Sequence, residues 1–549
     1  MSRKQGFTMD RPQGVMQTDQ IFDDTAPSAN VLMAASLIGA LWPSGAKTFR
    51  ISMPYGMDED LGGETEEVKQ YYQFVTQRMA EYMDNPKAGL VTALEEYMLD
   101  QGAFGISGIM IEDQETNYEV PLAYRAVDAK GLHIAEGQNG FVDTIYVERE
   151  YYMRQLVEKY GIDNISAIHR DLFLKGGDEA VGKKVRVLHA IEPRLDADPH
   201  GFGDKNFPYA SIHIDIETEK IMKESGFPEL PVAVTRFWKA MGEVYGRCPA
   251  MNALPSIFEA NALGEAWSLA VEKTLDPSLL VLDDGTLGGG TIDTSPGSIN
   301  VVSVSGRIAA GTTPIQPLFL VGDLKWTAAR RTELGEIIKN HFYQDRLMDL
   351  NNEHRMQNPE VAIRNELRGQ TLNTVYNRQY GELFVPLIET TFKKLQRRGL
   401  LGVMMGSPEE EALLSKGIYP RYIPQAVADR IKNKQEVYKI EFISPATRIM
   451  QSEELQGTDV LIQKAVLAAG VKPDVLDIID WDWTLRRIQE LGGARRETIL
   501  SLEKLKKLRA DKAAMQQALA EQEQKKMESE SVRNMAGAAA SAGLVQKSA

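Results

Sequence analysis

The segment between residues 249 and 398 limits what this chain can become more than any other. Two helical stretches are parted by a turn-rich insert, and a polar stretch then leads into a long helix over about 361–398. In the first stretch, Pro249 to Lys273, the residues Ala260, Leu263, Trp267, Ala270 and Val271 fall on one helical face. In the second, Asp323 to Phe342, one side carries Leu324, Ala328, Gly335, Ile338 and Phe342, while Trp326 and Ile337 fall near the opposite side. Apolar residues on two faces suit a helix wedged between neighbours. The insert, 274–320, holds seven glycines and four prolines, with Asp276, Asp283, Asp284 and Asp293 against the single base Arg307. Short strands are expected inside it at Leu279–Leu282 and Asn300–Val304. Loops this long that interrupt a helical pair tend to project and to carry function. Few globular enzymes are built in this order.

The rest of the chain reads as α+β. A polar start of about thirty residues precedes an apolar helix, Asn30 to Leu41, which Trp42-Pro43 ends before a strand near Thr48–Met53. Thr65 to Met83 repeats apolar residues every three or four positions, and Leu90 to Met98 forms another helix closed by Gly102. Strands follow at 108–111, 142–147, 185–189, 211–216 and 232–234. Residues 411–500 are mixed, 500–533 carry a helical stripe of Leu502, Leu505, Leu508, Met515 and Leu519, and 534–549 are rich in Ala, Ser and Gly.

Charge and composition exclude several classes. The formal net charge of −15 opposes tight retention of nucleic acid, yet suits a wall past which a polyanion must slide. A single cysteine, Cys248, rules out an internal disulfide and reads as a small buried side chain. The basic start Met1–Gly6 lacks the apolar core of a secretory signal, and no stretch is long enough to span a bilayer, so a cytosolic, membrane-free life is expected.

No catalytic constellation stands out, and no cofactor or metal is expected. The seven histidines are scattered along the chain. Asp196, Asp198 and His200, with Asp204 nearby, could form a hard-metal loop or serve a hydrolase, but no second ligand set accompanies them and a solvated turn explains them. Gly45–Thr48 lacks the spacing of a phosphate loop, and there is no Gly-x-Ser-x-Gly elbow.

Five local patterns, in one order, carry a resemblance. These are Ala29–Pro43 with Thr48–Ile51, Val187–Arg194, Glu224–Pro231 with Arg236-Phe-Trp, Gly242–Pro249 at the head of a helix, and Tyr438–Arg448. Together they resemble the head-to-tail connector, or portal, family of T7-like and related short-tailed double-stranded-DNA bacteriophages. Two positions depart from the pattern: Ala446-Thr447 in the last segment, and Asn358-Pro-Glu-Val at the start of the long helix.

The resemblance implies a ring-forming portal fold of twelve subunits around a DNA channel, at one capsid vertex of the virion, assembled in the host cytoplasm. The wing would take 1–248, the two-helix stem 249–273 and 321–342, and the small β-containing clip 274–320. The tunnel loop would be 343–360, the long helix and remaining wing 361–480, and the helical crown and tail 481–549. Arg346, His354 and Arg355 would then face the DNA; Trp326, Gly335 and Ile338 would face the next subunit. Asp283, Asp284, Asp293 and Arg307 would meet the packaging motor (terminase large subunit) and later the head-tail adaptor and tail proteins. Major capsid and scaffolding proteins are the remaining partners implied. Another phage assembly protein, a scaffold or adaptor, stays open as the alternative.

Overall fold

A computed structural model describes residues 21–43, 48–54, 66–114, 117–176, 182–195, 203–275, 279–281, 315–317, 325–344, 372–433, 435–443 and 452–470, with shorter pieces between 478 and 529. The elements run α1 (Thr25–Leu41), β1 (Phe49–Ser52), α2 (Glu66–Met83), α3 (Leu90–Phe104), β2 (Ile106–Asp113), β3 (Leu122–Val127), β4 (Leu132–Glu136) and β5 (Val142–Tyr152). Next come α4 (Met153–Tyr160), α5 (Ala167–Lys175), β6 (Lys184–Pro193), β7 (Tyr209–Asp215), β8 (Lys220–Phe227) and β9 (Val232–Arg236). The second half holds α6 (Pro249–Leu275), β10 (Leu279–Val281), β11 (Ile315–Pro317), α7 (Lys325–His341), a π turn (Gln379–Phe384) running into α8 (Val385–Arg397), α9 (Pro408–Leu414), α10 (Gln425–Lys432), β12 (Lys439–Phe442) and α11 (Ser452–Ala469).

Layering follows from strand alternation. The antiparallel sheet β3-β2-β9 lies between two apolar layers. Ile109, Ile111 and Ala233 point into a core shared with α1, α2, α3 and α8, while Met110, Val232 and Val234 point the other way. There they meet Ile134, Ile145, Val147 and Ile191 of the five-stranded antiparallel sheet β4-β5-β6-β7-β8. Its near-continuous burial explains why β2 reads as an apolar run and not as an alternating one. The pairing β1–β12, Phe49 opposite Phe442, brings the late strand back to the first.

Two sequence expectations change. The helix from Leu90 passes through Gly102, because Gly102 lies against α1, where a Cβ would fall 1.9 Å from the Asn30 side chain. It stops at Gly105, whose φ of 78° is the left-handed conformation that glycine tolerates. Two of the histidines scattered in sequence meet in space. Register sets His189 opposite His213, and their rings stack 3.9 Å apart.

The segment Gly242–Pro249 also finds its reason. Gly246 crosses Gly105 so closely that a Cβ on Gly246 would lie 2.1 Å from the Gly105 carbonyl oxygen. Arg247 pairs with Trp238 through two backbone hydrogen bonds, and the buried Cys248 thiol donates to the Ala103 carbonyl at 3.2 Å. Pro249 then opens α6, a position that needs no N–H. The motif is a clamp that fixes where and in which direction α6 leaves the core.

At the end of β9, Arg236 is 2% exposed and all five guanidinium hydrogens find acceptors. Nε donates to Glu382 Oε2 (3.3 Å), one terminal nitrogen to Glu136 and the Val244 carbonyl, the other to Glu382 Oε1 (2.8 Å) and the Gly140 carbonyl. Glu382 sits in the π turn just before Pro386. Proline has no N–H to give the Glu382 carbonyl and its ring would strike it, so the helix widens there by one residue. Lys239 shares Glu136, and Arg378 shares Glu382 at 2.9 Å.

Arg236→Met leaves two carboxylates without their common counter-charge and should cost about 3–5 kcal/mol, read as a lower urea midpoint. A loss under about 1 kcal/mol would show the network to be dispensable. Burial, then the facing His213 and the cations Lys159, Arg149 and Lys223, push His189 down to about 2, and burial with the same three cations pushes His213 to about 3, from the ordinary 6.5. Below pH 6.5 the unfolded chain therefore takes up protons that the folded chain refuses. Stability present in full above pH 6.5 is lost on acidification, at up to about 1.4 kcal/mol per pH unit for each histidine. His213→Gln should roughly halve that slope in urea titrations across the acid range, and an unchanged slope would contradict it.

Candidate functional site

The pair α6 and α7 sits half inside the chain and half outside it. All buried residues of α6, namely Pro249, Ala253, Ala260 and Gly264, precede residue 265; those of α7, Leu334 and Ile338, lie in its second half. The far halves, 265–275 and 325–333, therefore project, by about 16 Å on the α6 side at 1.5 Å per residue. At the tip, β10 and β11 pair antiparallel, Leu279 opposite Pro317. These two strands frame the insert.

The base is clasped by the residues that lead into α1. The Phe22 amide donates to Asn261 Oδ1 at 2.8 Å, and the Phe22 carbonyl lies where a Cβ on Gly264 would come within 2.7 Å. Asp23 faces Arg331 at 3.7 Å, and the Arg331 guanidinium rides over the Trp267 ring. Arg330 forks onto Glu259 across the pair (2.8 and 3.0 Å) and holds that carboxyl below its ordinary value. Both partners are exposed, so the contact fixes register more than it stabilises.

The face read from sequence as apolar on α6 is the inner one: Ala260 is buried, and Leu263, Trp267, Ala270 and Val271 are half-buried. A second apolar set is left outside. Met251, Phe258 and Leu269, at spacings of seven and eleven, share one exposed stripe within about 20° of helix. Trp326, at the outer start of α7, is 82% exposed. Gly335 faces α1, with a Cβ there 3.8 Å from Thr25 Cγ2. Ile338 differs from its expected place. It is 1% exposed within one chain, packed in that chain's own core, so it offers no surface to a neighbouring subunit.

Asp283, Asp284, Asp293 and Arg307, like Arg346, His354 and Arg355, lie outside the described residues, as do Asp196, Asp198 and His200. Among the described residues no cluster of three or more His, Cys, Asp or Glu side chains could hold a metal, and no helix is long and apolar enough to cross a membrane. Sequence reasoning missed the Arg236–Glu382–Glu136 network. Its traces were a proline inside a helical pattern and an arginine ending an apolar strand, neither informative until the two segments meet.

Residues 1–500 match the family model described as bacteriophage head to tail connecting protein. The probable portal protein of Bordetella phage BPP-1 is 26% identical over 520 residues, covering 93% of this chain and 85% of that protein. The portal protein of Salmonella phage epsilon15 is 23% identical over 525 residues, with 93% and 85% covered. A gene transfer agent virion chain matches at 13% identity and a TM-score of 0.29, covering 74% of this chain and 95% of that one. A neck chain of an empty gene transfer agent particle gives 12%, 0.28, 75% and 97%. Scores this low carry no argument about the fold.

The two ends of α7 can be told apart. Ile338→Asp places a carboxylate in the core and should destabilise the isolated chain by about 3 kcal/mol or more. Trp326→Asp should change it by less than about 0.5 kcal/mol. Thermal unfolding of both variants checks this, and the reverse ranking would mean that α7 packs the other way round.

Proposed function

The chain belongs to the bacteriophage head to tail connecting protein family, and on that premise we propose that it is the structural, non-enzymatic subunit of a twelve-fold ring through which the genome passes into and out of the capsid. The observation that carries this reading is the projecting pair α6–α7: embedded at its base, apolar on its outer surface, and framing a turn-rich insert at its tip. Exposed Met251, Phe258, Leu269 and Trp326 cost solvation in a lone chain and gain from a neighbour. A contact between two different patches, repeated by rotation, closes into a ring.

In this reading α6 and α7 are the stem, and the insert 274–320 is the clip, offering Asp283, Asp284, Asp293 and Arg307 to the packaging motor and then to the tail adaptor. The segment 343–360 is the tunnel loop, with Arg346, His354 and Arg355 touching phosphates in passing while Asp345, Asp349 and Glu353 oppose retention. The surplus of acids over bases gives the lumen a sliding surface.

Native mass spectrometry and negative-stain imaging of the purified chain test the ring. Twelve subunits are expected, with a lower yield for Trp326→Asp. A monomer or an open filament would overturn the reading. Replacing 285–297 by a short Gly/Ser linker should leave rings intact and abolish capture of the motor or the adaptor; unchanged capture of both would remove the clip assignment.

A further inference from the structure

On the face of the five-stranded sheet that α4 only partly covers, register lines up one row across four strands: Val147, His189, His213 and Lys223. This row floors a cleft of about 560 Å³ whose other walls come from β2, α4 and the end of α8. Five cations reach it, against three lining carboxylates, Glu112, Asp113 and Asp204. Two are neutralised: Lys394 binds Asp113 and the Ile111 carbonyl, and Arg397 forks onto Glu229. Arg149 shares Glu112 at 3.6 Å. The last two differ. The Lys159 ammonium donates to the Tyr151 hydroxyl at 2.8 Å and, among the described residues, has no carboxylate partner; Lys223 has no ion-pair partner among them either.

Resident groups report the same field. The Tyr160 hydroxyl bonds His213 Nδ1 at 3.1 Å and His189 Nε2 bonds Ser211 Oγ at 2.9 Å, so both rings have polar contacts without needing a charge. Burial alone would raise the Tyr151 phenol, but the hydrogen bond and charge of Lys159, with Arg149 beside it, bring it below its ordinary value. Uncharged imidazoles and unpaired ammonium groups at one concavity leave positive potential for an incoming anion. A single carboxylate would meet only part of it, whereas a phosphate offers several acceptors and about two charges to cations on separate elements.

We propose that this cleft binds a small phosphate-bearing anion, either free phosphate or the phosphate of a nucleoside monophosphate, held by Lys159, Lys223 and Arg149. Tyr160, Phe207 and Phe227 line the same cleft and supply aromatic surface for a base in the second case. The site is built mainly from the first half of the chain, with Lys394 and Arg397 of α8 on one wall, and does not rest on the ring reading.

Calorimetric titration of the full chain near neutral pH with inorganic phosphate, AMP and adenosine tests it. Saturable binding of phosphate or AMP is expected, weakened about tenfold or more in Lys159→Gln/Lys223→Gln. Both lysines are exposed, so that variant keeps its fold, which circular dichroism checks. AMP binding far tighter than phosphate, with adenosine competing, identifies the nucleotide as the source; equal affinities identify free phosphate. Lys339→Gln/Lys432→Gln, with the same charge loss elsewhere, should bind as wild type does. No saturation by either anion below about 10 mM overturns the proposal, as does equal weakening in the control pair or no weakening in the cleft pair.

Discussion

Arg236 is the interaction on which the arrangement of layers depends. A guanidinium removed from water is tolerable only if its charge and all five donors are answered, and here the answers come from three separate places in the chain. Glu136 and the Gly140 carbonyl belong to the β4–β5 hairpin, the Val244 carbonyl to the clamp before α6, and Glu382 to the π turn. Each must sit correctly for the others to be worth anything, so the bonds couple the five-stranded sheet, the start of α6 and the helix ending in α8. Beside them the Tyr97 hydroxyl donates to Gln379 Oε1 at 2.7 Å, and the Gln101 amide donates to the Thr235 carbonyl. This polar knot fixes one packing among the several that an apolar interior of similar volume would accept.

Sequence periodicity located most of the regular elements because burial and chain geometry repeat together. α2 matched to within a residue, and α6 opened at Pro249 and outran its expected end by two residues. What escaped was local chemistry with weak periodicity. The strands 132–136 and 220–227 mix charged, small and apolar residues without a clean alternation, Ile221 being exposed, and the short helices α4 and α5 give too few turns for a pattern to build. The Leu90 helix was cut short at Gly102 because a glycine looks like a terminator until the helix that needs its missing side chain, α1, lies across it. Of the candidate site, the helical pair and its insert were legible as an interruption. The burial of Ile338 was not, since two-faced apolarity cannot say which neighbour, internal or external, covers which side. Nor was the meeting of His189 with His213, which depends on register alone.

The pairing of β1 with β12 has a temporal side. Phe49–Ser52 leaves the ribosome early, but its partner, Lys439–Phe442, comes about 390 residues later, roughly 20–80 s at bacterial elongation rates. Until then β1 shows a bare edge, with its amide and carbonyl groups open to water or to any passing strand. Only a chain translated past residue 442 can hide that edge within itself. Translation past residue 442 is thus written into the surface of the chain, where a shorter copy and a longer one differ at the edge of β1.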